Sequence, residues 1–215
     1  MLATMKDSPD SSRTQPVGWT FFRQWLKNPR EVAAISPSSR QLARQMVHQL
    51  PKHCRRVIEL GGGTGVLTRA VLAHGVAPAD LLVLELNEEL HQHLHREFPG
   101  VLAVCGDAMH LGEIACRHGF VGDQRADAIV SGLGLLSMPR ISQQLILSAA
   151  FDAMRTEGRF VQFTYGPANP VAREVLDALE LTSRRASFTW WNVPPATVYV
   201  YQRRVSRSMP PRSMR

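Results

Sequence analysis

The chain has 215 residues, 44% of them hydrophobic, enough to bury one sizeable core, so a single folded domain is expected. No apolar run approaches the roughly 18–20 residues of a membrane-crossing helix, and the polar first fifteen residues lack the apolar stretch of a secretory signal, which predicts a cytoplasmic protein. The net charge of +7 is unevenly placed: residues 11–58 carry nine Lys or Arg against Glu31 alone, residues 181–215 carry seven Arg and no acid, and residues 59–180 hold eight Arg against fifteen acids. Basic ends around a mildly acidic middle suit a polyanionic surface, lipid or nucleic acid, and equally a solvated periphery. Cys54, Cys105 and Cys116 have no CxxC spacing, which predicts buried thiols in a reducing compartment and neither disulfides nor a zinc site.

Residues 1–16, rich in Ser, Asp and Pro, are expected to be disordered. Between Gly18 and Asn28 the spacing predicts a helix with Trp19, Phe22 and Leu26 on one face, widened by Phe21 and Trp25, and Arg23, Gln24 and Lys27 on the other. Such a helix can lie in a membrane interface through Trp19, Phe22, Arg23, Trp25 and Lys27, or pack its aromatics on the domain. A second helix opens at Ser38, with Gln41 three positions on to close a capping box, and buries Leu42, Met46 and Leu50 before Pro51. Together, residues 17–55 form an N-terminal helical segment that can cover a pocket.

From Arg56 to residue 205 strand and helix alternate, which predicts an α/β core: a largely parallel, seven-stranded sheet with helices on both faces. Strands fit at 56–60, 81–86, 101–105, 127–132, 159–165, about 186–191 and 197–204. Helices fit at 65–74, 88–97, 111–118, 139–157 and 170–182, with Gly75, Gly119 and Gly158 where helix C-caps belong. The last two strands adjoin without a helix and predict an antiparallel hairpin at the sheet edge. Residues 206–215 form a basic, disordered tail.

The first strand runs into Glu59-Leu60-Gly61-Gly62-Gly63-Thr64-Gly65, a strand–turn–helix junction stripped of side chains so that a ligand can approach the backbone. The second strand ends in Glu85, twenty-four positions after Gly61, where a carboxylate can accept both hydroxyls of a ribose. That spacing serves nicotinamide and S-adenosylmethionine (SAM) enzymes alike. An acid just ahead of the turn would repel a pyrophosphate, however, whereas it can fix the ammonium end of a methionine moiety. After the third strand, Asp107 of Gly106-Asp107-Ala108 can accept a bond from an adenine amino group or cap the next turn. Acids at three successive strand ends make this a SAM site, with Glu59, Gly61, Gly62, Gly63, Gly65, Glu85, Asp107, Ala108 and Ser131 as its expected lining. His91, His93 and His95 alternate along one helix without sharing a face, so no metal is expected.

At these residues the sequence resembles the class I SAM-dependent methyltransferases and, more closely, the soluble-type bacterial phospholipid N-methyltransferases. The resemblance spans Phe22 to about Arg204 and rests on Phe22-x-x-Trp25-Leu26-x-Asn28-Pro29, Ile35-Ser36-Pro37-Ser38-Ser39, the glycine turn, Gly106-Asp107-Ala108, Ser131-Gly132-Leu133-Gly134, Phe163-Thr164-Tyr165-Gly166-Pro167 and Asn192-Val193-Pro194-Pro195. It departs where the family usually has Pro, at Gly62 and Gly134. The resemblance implies methyl transfer to the amino group of phosphatidylethanolamine and its mono- and dimethyl forms, toward phosphatidylcholine, by an enzyme held peripherally on the anionic inner face of the membrane. Ser131, Gly132 and Tyr165 would then shape the transfer, and Ser38, Ser39, Leu133 and Tyr165 the lipid site. Another amine lipid, such as an ornithine lipid, fits the same site. Adenine N6-methylation of RNA would call for Asn/Asp-x-Pro-aromatic where Ser131-Gly132-Leu133-Gly134 stands, so no nucleic-acid partner is expected.

Overall fold

The computed structural model of the protein describes residues 37–165, 167–189 and 195–204. The segment expected to form the aromatic helix with Trp19, Phe22, Arg23, Trp25 and Lys27, both expected tails, and residues 190–194 lie outside the described residues. The elements follow as α1 (Pro37–Val47), β1 (Val57–Leu60), α2 (Val66–Ala73), β2 (Leu81–Glu85), α3 (Glu88–Glu97), β3 (Leu102–Cys105), α4 (Leu111–Arg117), β4 (Ala126–Ser131), α5 (Arg140–Ala153), β5 (Met154–Tyr165), α6 (Arg173–Ala178), β6 (Leu181–Thr189) and β7 (Ala196–Arg203). They build one seven-stranded sheet in the order β3-β2-β1-β4-β5-β7-β6. The first five strands are parallel. β7 inserts antiparallel between β5 and the edge strand β6, so the expected terminal hairpin forms with its second strand inside.

Alternation along the strands sorts the core into two layers. Ile58, Leu60, Leu82, Leu84, Ile129 and Phe160 face α4, α5 and α6. Val57, Leu81, Val83, Ala128, Val130 and Val161 face α1, α2 and α3. Every residue of β1, β2 and β4 is buried, as strands covered on both sides require. Asn87 caps α3 by accepting the Leu90 N–H at 3.0 Å, and Gly75 and Gly119 take the left-handed conformation just past α2 and α4 as expected.

Five expectations are corrected. Helix α1 starts at Pro37, whose ring presets φ and whose missing N–H costs nothing in a first turn, so Ser38 lies inside the helix and does not cap it. The helix expected over 139–157 stops at Ala153, because Met154 already pairs with Ala126 in the sheet. Gly158 sits in a bulge of β5, where an added Cβ would lie 2.8 Å from the Arg155 carbonyl, and is no helix cap. The helix expected to reach residue 182 ends near Leu179: Glu180 turns the chain at φ 52 and Leu181 begins pairing with Arg203, a distant partner that overrides local helical pattern. Cys54 is half-buried, but Cys105 and Cys116 are exposed, one ending the edge strand β3 and the other on α4.

At the lower end of the sheet Asp127 ties the entry of β1 to β4. One of its carboxylate oxygens accepts the N–H groups of Arg55 at 2.6 Å and Arg56 at 3.0 Å, and the other pairs with Arg155 at 3.0 Å. Burial, helped by this carboxylate, pushes the neighbouring Cys54 thiol up to about 12, so it stays neutral. Asp127→Ala leaves two N–H groups without acceptors and is expected to lower unfolding free energy by about 2–3 kcal/mol in a urea titration, with cofactor affinity unchanged.

Candidate active site

The upper ends of β1 and β4 lie side by side, at the point where strand order reverses and parallel sheets open a crevice. The two backbones nearly touch there. The Gly132 N–H donates to the Leu60 carbonyl at 2.8 Å, and a Cβ on Gly132 would stand 2.9 Å from the Gly61 carbonyl oxygen. The turn closes into α2 at Gly65, which combines φ 77 with a position where a Cβ would fall 2.3 Å from the Phe98 ring. No other residue satisfies both conditions.

Glu59, the last but one residue of β1, is fully buried on the α2 side of the sheet. Neither of its carboxylate oxygens is satisfied, and the Thr68 hydroxyl of α2 is equally unsatisfied. Desolvation pushes the Glu59 carboxyl up to about 8. The nearby Thr68 hydroxyl and amide pull it down without reaching good hydrogen-bond geometry, and the Glu85 charge adds to the rise. A buried acid without a partner beneath a bare glycine turn is a place made for a cation. Glu85, also buried, holds the turn from the other side: one oxygen accepts the Gly63 N–H at 2.8 Å and the other the Asn87 N–H at 2.9 Å.

At the end of β3, Asp107 caps the short turn Ala108–His110 by accepting the Met109 N–H at 2.9 Å, while Ala108 is buried beneath it. Leu86, overlooked in the sequence, projects from the end of β2 with 68% of its surface exposed; its place directly after the strand-end acid was the available signal.

On the other side of the crevice Ser131 is buried, and its hydroxyl accepts the Leu133 N–H at 3.3 Å, shaping the turn Ser131-Gly132-Leu133. Strand register pairs Ser131 with Gln162. Tyr165 therefore stands three residues, about 10 Å, further along β5. Its ring meets Phe163 edge-on at 5.5 Å, and burial raises the pKa of its hydroxyl, which keeps it a hydrogen-bond donor and not a base. The group at the level of Ser131 is Gln162, fully buried, whose amide donates to the carbonyls of Leu133 at 2.8 Å and Phe163 at 2.6 Å while its own oxygen is unsatisfied. A second buried glutamine, Gln143 of α5, donates to Leu135 at 2.8 Å and Pro170 at 3.2 Å and accepts the Ala172 N–H at 2.9 Å, clamping the loops after β4 and β5 together. Neither glutamine stood out in the sequence, because only the strand order gives them their partners.

Ser38 and Ser39 lie in the first turn of α1. The far end of that helix is fixed low on the sheet, where Arg159 of β5 donates to the Gln49 carbonyl at 2.9 Å. Eleven helical residues rise about 16 Å, which separates this first turn from the end held at Arg159. Among the described residues no group of His, Cys, Asp or Glu could hold a metal ion, and no helix is long and apolar enough to cross a membrane.

Solved structures share this architecture. The TehB-like SAM-dependent methyltransferase of Corynebacterium glutamicum matches with a TM-score of 0.58 at 17% identity, over 87% of this chain and 98% of that one. The magnesium protoporphyrin IX methyltransferase of Synechocystis, solved with bound SAM, matches with a TM-score of 0.60 at 12% identity, over 90% and 100%. At such identities the likeness is one of fold. The fold is that of the class I SAM-dependent methyltransferases. No family model matches the chain. It is, however, 30% identical over 186 residues to the ornithine lipid N-methyltransferase of Singulisphaera acidiphila, covering 83% of this chain and 92% of that protein. The chain belongs to the family of that N-methyltransferase.

The state of Glu59 is open to direct measurement. Its carboxyl binds a proton more tightly folded than unfolded, so the ligand-free protein is expected to lose stability as pH rises from about 5 to about 8. Glu59→Gln should flatten that dependence in thermal melts and abolish SAM binding. Wild-type SAM binding near neutral pH should release a proton from Glu59, seen as a buffer-dependent enthalpy in calorimetry.

Proposed function

We propose that the protein transfers the methyl group of SAM to the amino group of a membrane lipid. The observation that carries this reading is the relative that acts on an ornithine lipid, matched along most of both chains, together with the built crevice between β1 and β4. Cofactor, when bound, supplies an electrophilic methyl on a sulfonium centre. Glu59 is assigned to its ammonium group, Glu85 to the ribose hydroxyls, Leu86 and Ala108 to the faces of the adenine, and Asp107 to the adenine amino group. The glycines 61, 62, 63 and 65 let the cofactor lie against the backbone. Ribose hydroxyls at Glu85 would share the carboxylate that accepts the Gly63 and Asn87 N–H groups.

On the acceptor side, the small turn Ser131-Gly132-Leu133 lets an amine come close, and the packed Leu133 excludes water. The buried Gln162 donates to the Leu133 carbonyl at 2.8 Å and the Leu135 N–H donates to the same oxygen at 2.9 Å, so this carbonyl is spent on holding the loop in the shape beside which the amine is to be aligned. Tyr165, Ser38 and Ser39 are assigned to the head group further out along the rim. In-line displacement needs little beyond this alignment, and positioning supplies most of the rate.

Two lipids are in question. Phosphatidylethanolamine is the expectation from the sequence motifs and carries a phosphate next to its amine. Residues 126–139 and 160–172, which form the acceptor strands and loops, contain no Lys or Arg. Their composition favours a head group without phosphate, the ornithine lipid type, and agrees with the substrate of the relative. RNA is disfavoured by the lack of Asn/Asp-x-Pro-aromatic at the end of β4.

Incubation with methyl-labelled SAM and vesicles containing either lipid, followed by chromatography of the lipids, is expected to place label in ornithine lipid in preference to phosphatidylethanolamine. Label in phosphatidylethanolamine alone would reverse the order of the two readings, and label in neither would end the lipid assignment. Gln162→Met is expected to lower kcat/KM for the lipid by tenfold or more with SAM affinity within about twofold, as a misplaced acceptor loop implies. A merely structural effect would weaken both.

A further inference from the structure

The described residues expose four large apolar side chains: Leu86 at 68%, Leu136 at 48%, Ile141 at 62% and Leu145 at 47%. Leu86 is assigned above to a face of the adenine. The other three fall within ten residues, beginning three positions after Leu133. Ile141 and Leu145 are one helical turn apart and so share a face of α5, opposite the buried Gln143, Ile146, Leu147 and Ala150. Leu136 belongs to the short turn Leu135–Ser137 that joins the acceptor loop to this helix. A water-facing helix of this kind ordinarily presents polar residues there.

The charge around the strip is as unusual as its apolarity. Residues 59–180 hold fifteen acids, yet none lies between Asp127 and Asp152. Arg140 begins the helix with its side chain 71% exposed, paired with Glu174 at 3.4 Å, and Arg173 follows on α6 at 92%, with Asp177 at 3.8 Å. Pairs this exposed are weak and exchange readily for other anions. The strip is also held rigidly to the acceptor loop, since Gln143 on the inner side of the same helix binds the carbonyls of Leu135 and Met138, at 2.8 and 3.3 Å.

We propose that Leu136, Ile141 and Leu145, flanked by Arg140 and Arg173, form a surface that the protein lays on a lipid bilayer, so that a head group leaving the membrane plane meets Ser131-Gly132-Leu133. The assignment rests on the lipid reading of the site, because acyl chains attached to a head group held at Leu133 require an apolar surface beside it. An RNA partner would call for a basic face, with no use for exposed leucine and isoleucine. Three apolar side chains entering the interface with two arginines at the head groups suit a shallow, reversible attachment.

The test uses the full chain with vesicles of phosphatidylglycerol and phosphatidylcholine, with and without ornithine lipid. The double variant Ile141→Ser/Leu145→Ser, altered only at exposed positions, should bind vesicles about tenfold more weakly in sedimentation, with its affinity for SAM unchanged. Its methylation of vesicle lipid should fall in parallel, while methylation of a short-chain, monomeric form of the same lipid is preserved. Ile141→Trp should tighten vesicle binding. Vesicle binding equal to the wild type in the double variant overturns the proposal, and so does a change in its oligomeric state, which would mean that a second copy of the chain covers the strip. If the wild type methylates no lipid while the double variant still loses vesicle binding, the lipid assignment fails and the membrane surface stands.

Discussion

The contact between the upper ends of β1 and β4 sets the geometry of the whole site. Strand order reverses there, so the helix after β1 and the helix after β4 leave on opposite faces of the sheet and a crevice opens between them. A side chain on Gly132 would press on the Gly61 carbonyl, and Gly61 itself takes a left-handed φ of 76 with the Leu133 side chain packed beside it. That closeness would put a cofactor at the first turn within reach of an acceptor at the second, as the proposed transfer between two bound molecules requires. It also explains why the small residues of both turns belong to one constraint although seventy residues of chain separate them.

Behind the contact stands a cost. Glu59 is buried with both oxygens unsatisfied, and Thr68 beside it does not compensate. A ligand-free protein holding such a group gives up stability, which a bound cation restores. On the proposed assignment, structure and binding would be coupled through one side chain: the carboxyl that weakens the empty fold is the one assigned to the cofactor's ammonium group. Glu85 shares the arrangement in milder form, since its bonds to the Gly63 and Asn87 amides keep the turn shaped.

The acceptor side is built differently. Its loops are positioned by two buried glutamines acting on main-chain carbonyls, with charges kept away. Gln162 fixes the turn after β4 from the neighbouring strand, and Gln143 ties that turn's continuation to the loop after β5. A neutral, hydrogen-bonded frame suits an amine that must lose its charge before it reacts. The rim then changes character within a few residues, from this packed interior to the exposed leucine and isoleucine of α5.

Much of this was legible in the chain. Strand-end acids, the glycine turn, the alternation of elements and the terminal hairpin all follow from local pattern, because buried parallel strands, tight turns and helix ends each leave a signature in neighbouring residues. Element boundaries that depended on distant pairing were misplaced: Met154 and Leu181 are strand residues because Ala126 and Arg203 lie opposite them. The glutamines were invisible for the same reason, since a glutamine in an apolar run carries no mark of which carbonyl it will meet. By itself, then, the sequence determined the fold class and placed the strand-end acids and the glycine turn of the expected cofactor site. Tertiary structure alone decided that Glu59 has no partner, that Gln162 stands level with Ser131 while Tyr165 lies further out, and that an apolar strip borders the acceptor. Each of these is a relation between residues far apart in the chain, settled only when the strands take their register.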